Sequence, residues 1–347
     1  MSDAVSDAPP DTGLTVAITG PTGTFGAGLV PLLEADERVG RIVGVARSEF
    51  DPASRGWTTL EYRRGDVRDP ATLREAFADV DVVVHLAFLI TGNADPATLR
   101  AVNVDGTLDA FRAAAQAGAR RFVNASSVAA YGFHADNPDP IDEDWPARPA
   151  DRLFYARDKA ELEERLGREA EAHPDTALYQ VRPTVVVGPN ALGAKDLPWP
   201  LPSLVAAAGW VGDRLGAQRG RLPVPVPVLA PTLALQFVHE DDVGDALRRC
   251  VVGDGPPGAY NLAGDGVVRL DDVLRELGAF PVPVPDRPLR LAARAAAALP
   301  LPPTLQWVEA AAHPPIVDTT RARHELGWEP RYTGIEALRD TLAPGGR

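Results

Sequence analysis

The chain has 347 residues, a mass of 36.9 kDa, 45% hydrophobic and 24% charged residues, and a net charge of −13. This composition is that of a globular protein with a sizeable core, and the acidic balance argues against nucleic acid as a partner. The single cysteine, Cys250, excludes an intrachain disulfide and a cysteine-based zinc site, and we predict no metal site.

The sequence also bears on the expected location of the protein in the cell. Residues 1–12 are acidic and small and contain no apolar signal core, so we expect a disordered tail. No apolar run reaches the length that spans a bilayer. We therefore expect a cytoplasmic protein that has no membrane partner.

Strand and helix signals alternate through the first half of the chain. The β-branched run Leu14–Thr19 predicts a first strand, and a helix follows from Phe25 to about Glu34. Further strands are predicted over 42–45, 60–63, 80–86, 121–127 and 177–187, and helices over 96–117 and 152–172. The run 80–86 is apolar throughout, as in a strand buried on both faces. This alternation predicts an α/β fold, a Rossmann-type doubly wound parallel sheet with helices on both faces.

A glycine-rich turn links the first strand to the first helix. Its residues are Gly20, Thr22, Gly23, Thr24, Phe25 and Gly26. In a dinucleotide fingerprint, Gly20 forms the tight turn, Gly23 lets the backbone approach a pyrophosphate, and Gly26 lets the helix pack on the strand. The alternative interpretation is a structural turn that binds no ligand.

The end of the second strand discriminates between the two nicotinamide cofactors. An NAD site has an acid there, which binds the ribose 2′-hydroxyl group. This strand ends in Arg47 and Ser48 instead, two residues that can hold a 2′-phosphate. We therefore predict NADP(H), with NAD(H) as the alternative cofactor. The other interpretation of Arg47 is a solvated loop cation.

The chain contains only two lysines, and one of them lies four residues after a tyrosine. Within the predicted helix 152–172, this spacing puts Tyr155 and Lys159 on one face. An ammonium group beside a phenol lowers the pKa of the phenol. The pair therefore predicts a tyrosine that transfers a proton, and the alternative is a solvated lysine one turn from a tyrosine.

After Gly188-Pro189 the character of the chain changes. Residues 191–232 are rich in proline and glycine, and short elements then return at 235–239, 241–251, 260–262, 270–277 and 289–299. We predict a dinucleotide-binding domain over 13–189. Residues 190–343 are predicted to form mainly a smaller C-terminal substrate-binding lobe, with some segments that return to the first domain.

Several further motifs occur in a specific order along the chain: Asp66-Val67, His85-Leu86-Ala87, Asn103-Val104-Asp105-Gly106-Thr107, Ser126-Ser127, Tyr131-Gly132, Arg182-Pro183, Phe237-Val238-His239, Tyr260-Asn261-Leu262 and Glu325-Leu326-Gly327-Trp328. Together with the glycine turn and the Tyr155–Lys159 pair, they resemble the extended short-chain dehydrogenase/reductase family, in its NAD(P)-dependent epimerase/dehydratase-like branch. The resemblance extends from about Leu14 to Pro330.

The resemblance implies a role for each matching residue. Tyr155 would be the general acid/base, and Ser127 would bind the substrate oxygen. Lys159 would bind the nicotinamide ribose and depress the pKa of Tyr155, while Asn103 would support the active-site helix. The other residues implied to line the cofactor site are Asp66 at the adenine amine, Val67, Leu86, Ala87, Ser126 and, facing the nicotinamide amide, Pro183. The resemblance also implies a homodimer formed through residues 96–117 and 152–172.

Two departures from the family pattern narrow the expected chemistry. Dehydratases of the family carry an Asp-Glu pair directly after the catalytic hydroxyl residue, where this chain has Val128 and Ala129, which transfer no proton. Sugar-nucleotide epimerases usually place a pyrophosphate-binding arginine where this chain has Leu235, followed by Gln236. Three arginines in the proline-rich lobe, at positions 214, 219 and 221, are alternative phosphate ligands.

These observations predict an NADP(H)-dependent oxidoreductase that interconverts a carbonyl and a secondary alcohol on a small molecule without a nucleotide. The first alternative is a sugar or sugar-nucleotide epimerase with tightly bound NAD(P). The second is a cofactor-sensing regulatory protein without catalytic activity. His85 and His239 lie at the ends of buried strands, and we interpret them as structural.

Overall fold

The computed structural model describes residues 13–90, 95–150, 152–191, 227–230, 233–276, 279–283, 310 and 313–342. Its strands are β1 (Leu14–Thr19), β2 (Val39–Ala46), β3 (Leu60–Arg64), β4 (Val82–His85), β5 (Arg121–Ala125), β6 (Ala177–Pro183), β7 (Val185–Val187), β8 (Pro227–Ala230), β9 (Ala234–Leu235), β10 (Phe237–His239), β11 (Gly258–Leu262), β12 (Val268–Arg269) and β13 (Phe280–Pro283). Its α-helices are α1 (Thr24–Glu34), α2 (Pro70–Ala76), α3 (Pro96–Arg100), α4 (Gly106–Gln116), α5 (Phe154–Ala172), α6 (Glu240–Val252), α7 (Leu270–Glu276), α8 (Thr320–Glu325) and α9 (Gly334–Leu342).

Seven strands form one parallel sheet, in the order β11-β6-β5-β4-β1-β2-β3. The chain runs outward from β1 to β3 and then returns to β4 on the other side of β1. A crevice therefore opens between the carboxyl ends of β1 and β4, which is where ligands bind in sheets of this kind. The predicted Rossmann-type parallel sheet is confirmed.

Helices cover both faces of this sheet. On one face, α1 and α6 bury Leu29, Leu33 and Leu247 against the strands, and Trp328 fills the same core. On the other face, α2, α4 and α5 contribute an equally apolar layer. Each layer places one apolar stripe of a helix on a strand surface that is rich in valine, which is the packing expected of a doubly wound sheet.

Three smaller strand pairs lie outside the main sheet. β7 pairs with β10 and β8 with β13, both in parallel, and β9 pairs with β12 in antiparallel fashion. No helix among the described residues is long and apolar enough to cross a bilayer.

The structure differs from the predicted elements in several places. The predicted strand 177–187 is divided at Thr184, whose amide donates to the Leu262 carbonyl, so that β6 joins the main sheet and β7 joins β10. The predicted helix 96–117 contains a π-helical segment, Ala101–Asp105. Helix α2, which Asp69 caps, is not predicted by the sequence pattern, and neither are α8 and α9. The predicted tail 1–12, the helix 289–299 and the three arginines at 214, 219 and 221 lie outside the described residues.

Candidate active site

The glycine-rich turn lies at the carboxyl end of β1, beside the crevice. Gly20 has a φ of +71°, and its amide donates to the Val45 carbonyl at 2.8 Å. A Cβ atom at Gly20 would lie 2.9 Å from the backbone of Ala87. The segment after β4 is held in turn by Thr19, which accepts from the Leu86 amide at 3.0 Å. A side chain at position 20 is therefore excluded both by conformation and by space.

The first turn of α1 offers room for a phosphate group. A Cβ atom at Gly26 would lie 1.8 Å from the Pro21 carbonyl oxygen, so only glycine permits this approach of helix and turn. At Gly23, by contrast, a Cβ atom would meet only the Gly20 oxygen, at 3.6 Å. The free amides of a helix N-terminus favour an anion in such a space. The six residues predicted for this turn lie together here, and they fit a dinucleotide.

The end of β2 presents the predicted cofactor-discriminating residues. The Tyr62 hydroxyl donates to the Ala46 carbonyl at 3.1 Å and to the Ser48 carbonyl at 2.5 Å, and Arg64 Nε donates to the Arg47 carbonyl at 3.1 Å. These bonds fix the backbone and leave the side chains of Arg47 and Ser48 exposed. The end of β2 therefore carries one exposed cation, Arg47.

Asp66 and Val67 follow β3 at the same edge of the sheet. The Asp66 carboxylate accepts from Arg68 Nε at 3.0 Å and Nη2 at 2.7 Å, and this pairing with Arg68 lowers the pKa of Asp66. Val67 is buried, and its side chain packs against Gly106 at the start of α4. The Asp66 carboxylate is therefore an anionic acceptor at this edge, already engaged by a neighbouring cation.

Three successive residues at the end of β5 are bound by three residues on one face of α5. Tyr155, Lys159 and Glu163 are spaced four residues apart, which places them one above the other on the helix. The hydrogen bonds join the side chains of Ser127 and Tyr155, the Ala125 carbonyl and Lys159 Nζ (2.7 Å), and Ser126 Oγ and Glu163 Oε1 (2.5 Å). The structure thus brings the predicted Ser127, Tyr155 and Lys159 together.

Burial sets the protonation of this group. Burial raises the pKa of Tyr155, and the hydrogen bond with Ser127 opposes that change. Burial also lowers the pKa of Lys159 to about 7, against the opposite effect of the Glu163 carboxylate. The implied depression of the Tyr155 pKa by Lys159 is therefore wrong for the protein alone. Lys159 Nζ is taken up by the Ala125 carbonyl and lies 3.6 Å from the centre of the Phe88 ring.

Asn103 supports the catalytic helix from the π-helical segment. Its Oδ1 accepts from the Leu89 amide at 2.8 Å, and its Nδ2 donates to the Leu89 carbonyl at 3.1 Å and to Asp158 Oδ2 at 3.3 Å. Because Asp158 directly precedes Lys159, these bonds tie the segment after β4 to α5. The π-helical segment Ala101–Asp105 widens the helix locally, and the buried Asn103 lies within this segment.

The hydroxyl group of Ser126, a residue predicted to line the cofactor site, is engaged within the protein. Its hydroxyl donates to the buried Glu163, which also accepts from Arg182 Nε at 2.9 Å and from Arg182 Nη2 at 2.5 Å. The side chains of Arg182 and Glu163 are only 7% and 3% exposed. Ser126 is therefore part of a buried ion-pair network that the sequence analysis did not identify.

The network continues to the edge of the sheet. Arg182 Nη1 donates to the Tyr131 hydroxyl at 2.7 Å, and that hydroxyl donates to Asn261 Oδ1 on β11 at 2.8 Å. The Asn261 amide then donates to Glu143 Oε1 at 2.7 Å. Burial raises the pKa of Tyr131 to about 12, which keeps its hydroxyl proton available for this bond.

The two histidines have structural contacts. The ring nitrogens of His85 each lie 2.9 Å from a threonine hydroxyl, Nδ1 from Thr19 and Nε2 from Thr107, and burial lowers the pKa of His85 to about 3. His239 Nδ1 accepts from the Asp241 amide at the start of α6. Pro183, predicted at the nicotinamide amide, ends β6 at the same edge of the sheet and pairs with Leu262.

The sequence analysis missed three residues of this region. Phe88 directly follows the His85-Leu86-Ala87 motif, and its ring packs edge-on against Tyr155 with centroids 5.6 Å apart. Glu163 continues the spacing of four from Tyr155 and Lys159, a signal that was available in the sequence. Glu240 directly follows the Phe-Val-His motif and is buried. Because Asp241 and Asp242 come next, the sequence there does not indicate a buried position.

A parallel seven-stranded sheet with a glycine turn at its crevice, and a serine, tyrosine and lysine on the adjoining strand and helix, define an enzyme of the extended short-chain dehydrogenase/reductase type. The family model described as the NAD dependent epimerase/dehydratase family matches residues 16–263. The chain belongs to this NAD-dependent enzyme family, and the predicted resemblance is confirmed.

Individual proteins are similar to this chain at lower identity. An uncharacterized protein of Mycobacterium tuberculosis is 27% identical over 335 residues, which cover 94% of this chain and 82% of that protein. Sterol demethylase protein B of Methylococcus capsulatus is 34% identical over 179 residues, 51% of this chain and 52% of that protein. The structure of UDP-glucose 4-epimerase from Thermus thermophilus, a complex with NAD, has a TM-score of 0.68 at 21% identity and covers 95% of this chain and 98% of that chain. The last likeness concerns the fold.

Proposed function

We propose that the chain is an NADP(H)-dependent oxidoreductase that interconverts a carbonyl and a secondary alcohol on a small substrate without a nucleotide. The observation that carries this proposal is the bonding of Ser127 to Tyr155 at the crevice, on the face of α5 that also carries Lys159. The regulatory alternative is not favoured, because the chain keeps the full set of proton-transferring side chains.

A nicotinamide cofactor held at the glycine turn would supply or accept the hydride. Tyr155 is protonated at neutral pH because its pKa is raised, so its hydroxyl donates a proton to the substrate oxygen during reduction. Ser127 donates a second hydrogen bond to the same oxygen, where negative charge develops. In the reverse direction Tyr155 accepts the alcohol proton. Lys159 and Asn103 hold the helix and its two neighbouring segments in register with the crevice.

The proposed substrate class follows from the contacts of Leu235 and Gln236, which stand where the epimerase pattern has its arginine. Leu235 packs in an apolar cluster with Val268, so no cation is offered at the position of the epimerase arginine. Both ends of the Gln236 amide are engaged by the backbone of Val317, at 2.8 and 3.2 Å. These contacts favour a substrate without a pyrophosphate.

The test is a turnover screen with the full chain. Reduced and oxidised forms of both cofactors are offered with panels of ketones, aldehydes and secondary alcohols, and the absorbance of the reduced nicotinamide is followed. Conversion of free cofactor in a one-to-one ratio with substrate supports the proposal. Conversion of substrate by a cofactor that stays bound and never exchanges contradicts it.

The second candidate is an epimerase that keeps its NAD(P) and oxidises and reduces the same carbon. The family description favours it, as does the likeness to solved epimerases. Cofactor that co-purifies with the chain, together with isomerisation of a sugar or a UDP-sugar without net redox change, would establish this function instead.

Cofactor preference is tested at Arg47. We expect Arg47→Ala to weaken NADP(H) binding roughly 10- to 100-fold, the loss of one charge-assisted contact, and to leave NAD(H) binding almost unchanged. Titration calorimetry with both cofactors measures the difference. Arg41→Ala is the matched control, because Arg41 lies at the other end of β2 and pairs with Glu61. Equal loss of both cofactors in Arg47→Ala would show that this side chain does not read the 2′-phosphate.

We also propose a homodimer formed through α3, α4 and α5. The outer face of these helices carries ion pairs, including Arg100 with Glu161 and Arg112 with Glu169. Both pairs join helices within one chain, so screening of these charges by salt is not expected to separate two chains. We expect light scattering to show a dimer at both low and high salt. A monomer at low salt, at concentrations well above those of the assay, would exclude the dimer.

A further inference from the structure

Glu240 is a buried acid that the proposed mechanism does not use. It is the first residue of α6 and only 1% exposed. Its Oε1 accepts two hydrogen bonds from Asn190, from the backbone amide and from Nδ2, both at 2.9 Å. Its Oε2 is buried and has no hydrogen-bond partner among the described residues. A buried oxygen in this condition calls for a ligand or a water molecule as its partner.

Asn190 belongs to the short turn that leaves β7. This turn, residues 188–190, packs directly on the acid, since a Cβ atom at Gly188 would lie 2.6 Å from Glu240 Cγ. On its other side the turn reaches the glycine-rich loop, where the Thr24 hydroxyl donates to the Asn190 carbonyl at 3.5 Å. Asn190 is thus held between Glu240 and the first residue of α1.

The backbone of Glu240 is fixed against α1 as well. A Cβ atom at Gly28 would lie 2.4 Å from the Glu240 carbonyl oxygen, and one at Gly244 would lie 2.3 Å from the Gly28 oxygen. Two glycines therefore let α1 and α6 approach closely, with their N-terminal ends at the same edge of the sheet. The acid cannot shift without moving the helix that presents the glycine turn.

The charges near Glu240 do not neutralise it. In the part of the chain that the structure describes, no cation forms an ion pair with Glu240. Its neighbour His239 is directed to Asp340 and to the Asp241 amide. Burial raises the pKa of Glu240, and the hydrogen bonds from Asn190 oppose that change.

We propose that Glu240 is a positioning residue for the cofactor, which holds Asn190 against the first turn of α1 and makes the turn 188–190 one wall of the phosphate site. The inference rests on the proposed binding of NADP(H) or NAD(H) at the glycine turn. Loss of the carboxyl group releases this wall, so the cofactor dissociates faster while the catalytic side chains are untouched.

The test compares Glu240→Ala with Glu240→Gln and Asp242→Ala. The dissociation rate of the reduced cofactor is measured by stopped-flow fluorescence, with thermal unfolding of each cofactor-free variant alongside. We expect Glu240→Ala to release the cofactor about tenfold faster, as for the loss of a buried hydrogen bond. Glu240→Gln keeps an oxygen acceptor for the Asn190 amide and should behave like the unmodified protein.

Asp242→Ala is the matched control for general destabilisation. Asp242 is buried in the same turn of α6, but it binds the amides of Arg331 and Tyr332 and does not reach the turn 188–190. We expect Asp242→Ala to lower the unfolding temperature without changing cofactor release. Asn190→Ala, at an exposed position, weakens the same contact from the other side and covers the case in which Glu240→Ala does not fold.

Two results would overturn the inference. One is an unchanged release rate in folded Glu240→Ala or Asn190→Ala, and the other is equal acceleration in Asp242→Ala, which would indicate a purely structural acid. Failure of the unmodified chain to bind either cofactor would overturn the proposed function and this inference together, and it is seen before any variant is compared.

Discussion

Replacing Tyr155 by phenylalanine is expected to lower kcat by about 10²- to 10⁴-fold, the usual contribution of a general acid. The substitution removes one hydroxyl group and keeps the ring that packs against Phe88. The cofactor dissociation constant should therefore change little. Steady-state turnover and a parallel binding titration separate the two effects.

Tyr179→Phe is the matched control for this prediction. Tyr179 is a buried tyrosine on β6 whose hydroxyl donates to the Gly255 carbonyl at 2.9 Å, away from the crevice. The same chemical change there should leave kcat close to that of the unmodified chain. If Tyr155→Phe retained more than a tenth of the activity, the proton donor would have to be another group.

The largest expected effect on stability comes from Arg182→Met. This change leaves the Glu163 carboxylate buried without its partner, which typically costs about 3–5 kcal/mol of the free energy of unfolding. It also removes the donor to Tyr131 and so interrupts the path toward β11. Urea-induced unfolding followed by circular dichroism measures the loss.

Arg168→Met provides the comparison, because Arg168 lies on α5, the helix that carries Glu163. Arg168 pairs with Glu164, but these side chains are 71% and 63% exposed, against 7% and 3% for Arg182 and Glu163. Exposed pairs contribute about 0–1 kcal/mol, so this variant should unfold almost like the parent. Similar losses of unfolding free energy in both variants would mean that the buried Glu163–Arg182 pair contributes no more to stability than the exposed Glu164–Arg168 pair.

The sequence predicted those features of the site that depend on residues close together in the chain. The glycine turn works through backbone conformation and close approach, and both properties are visible in the residue type. The Tyr155–Lys159 pair follows from helical periodicity alone. These features meet in space because the carboxyl ends of parallel strands lie at one edge of a sheet.

The missed features depend on partners that are distant in the chain. Glu163 reads as one more charge on a polar helix until β6 places Arg182 beside it. The predicted strand is divided at Thr184 because β11 pairs with its first part, β6, and β10 pairs with its second part, β7. The direction of the Tyr155 pKa shift could not be read from the spacing, because spacing gives proximity on a helix, whereas burial of the phenol raises its pKa.

The grip of α5 on the end of β5 has a consequence for how this scaffold diversifies. Residues 125–127 are bound by Tyr155, Lys159 and Glu163, three residues of α5, and none of these three bonds involves a residue that follows β7. Substitutions in the segments that follow β7 are therefore expected to leave these three bonds in place, and with them the spacing between the end of β5 and the Tyr155 side of α5.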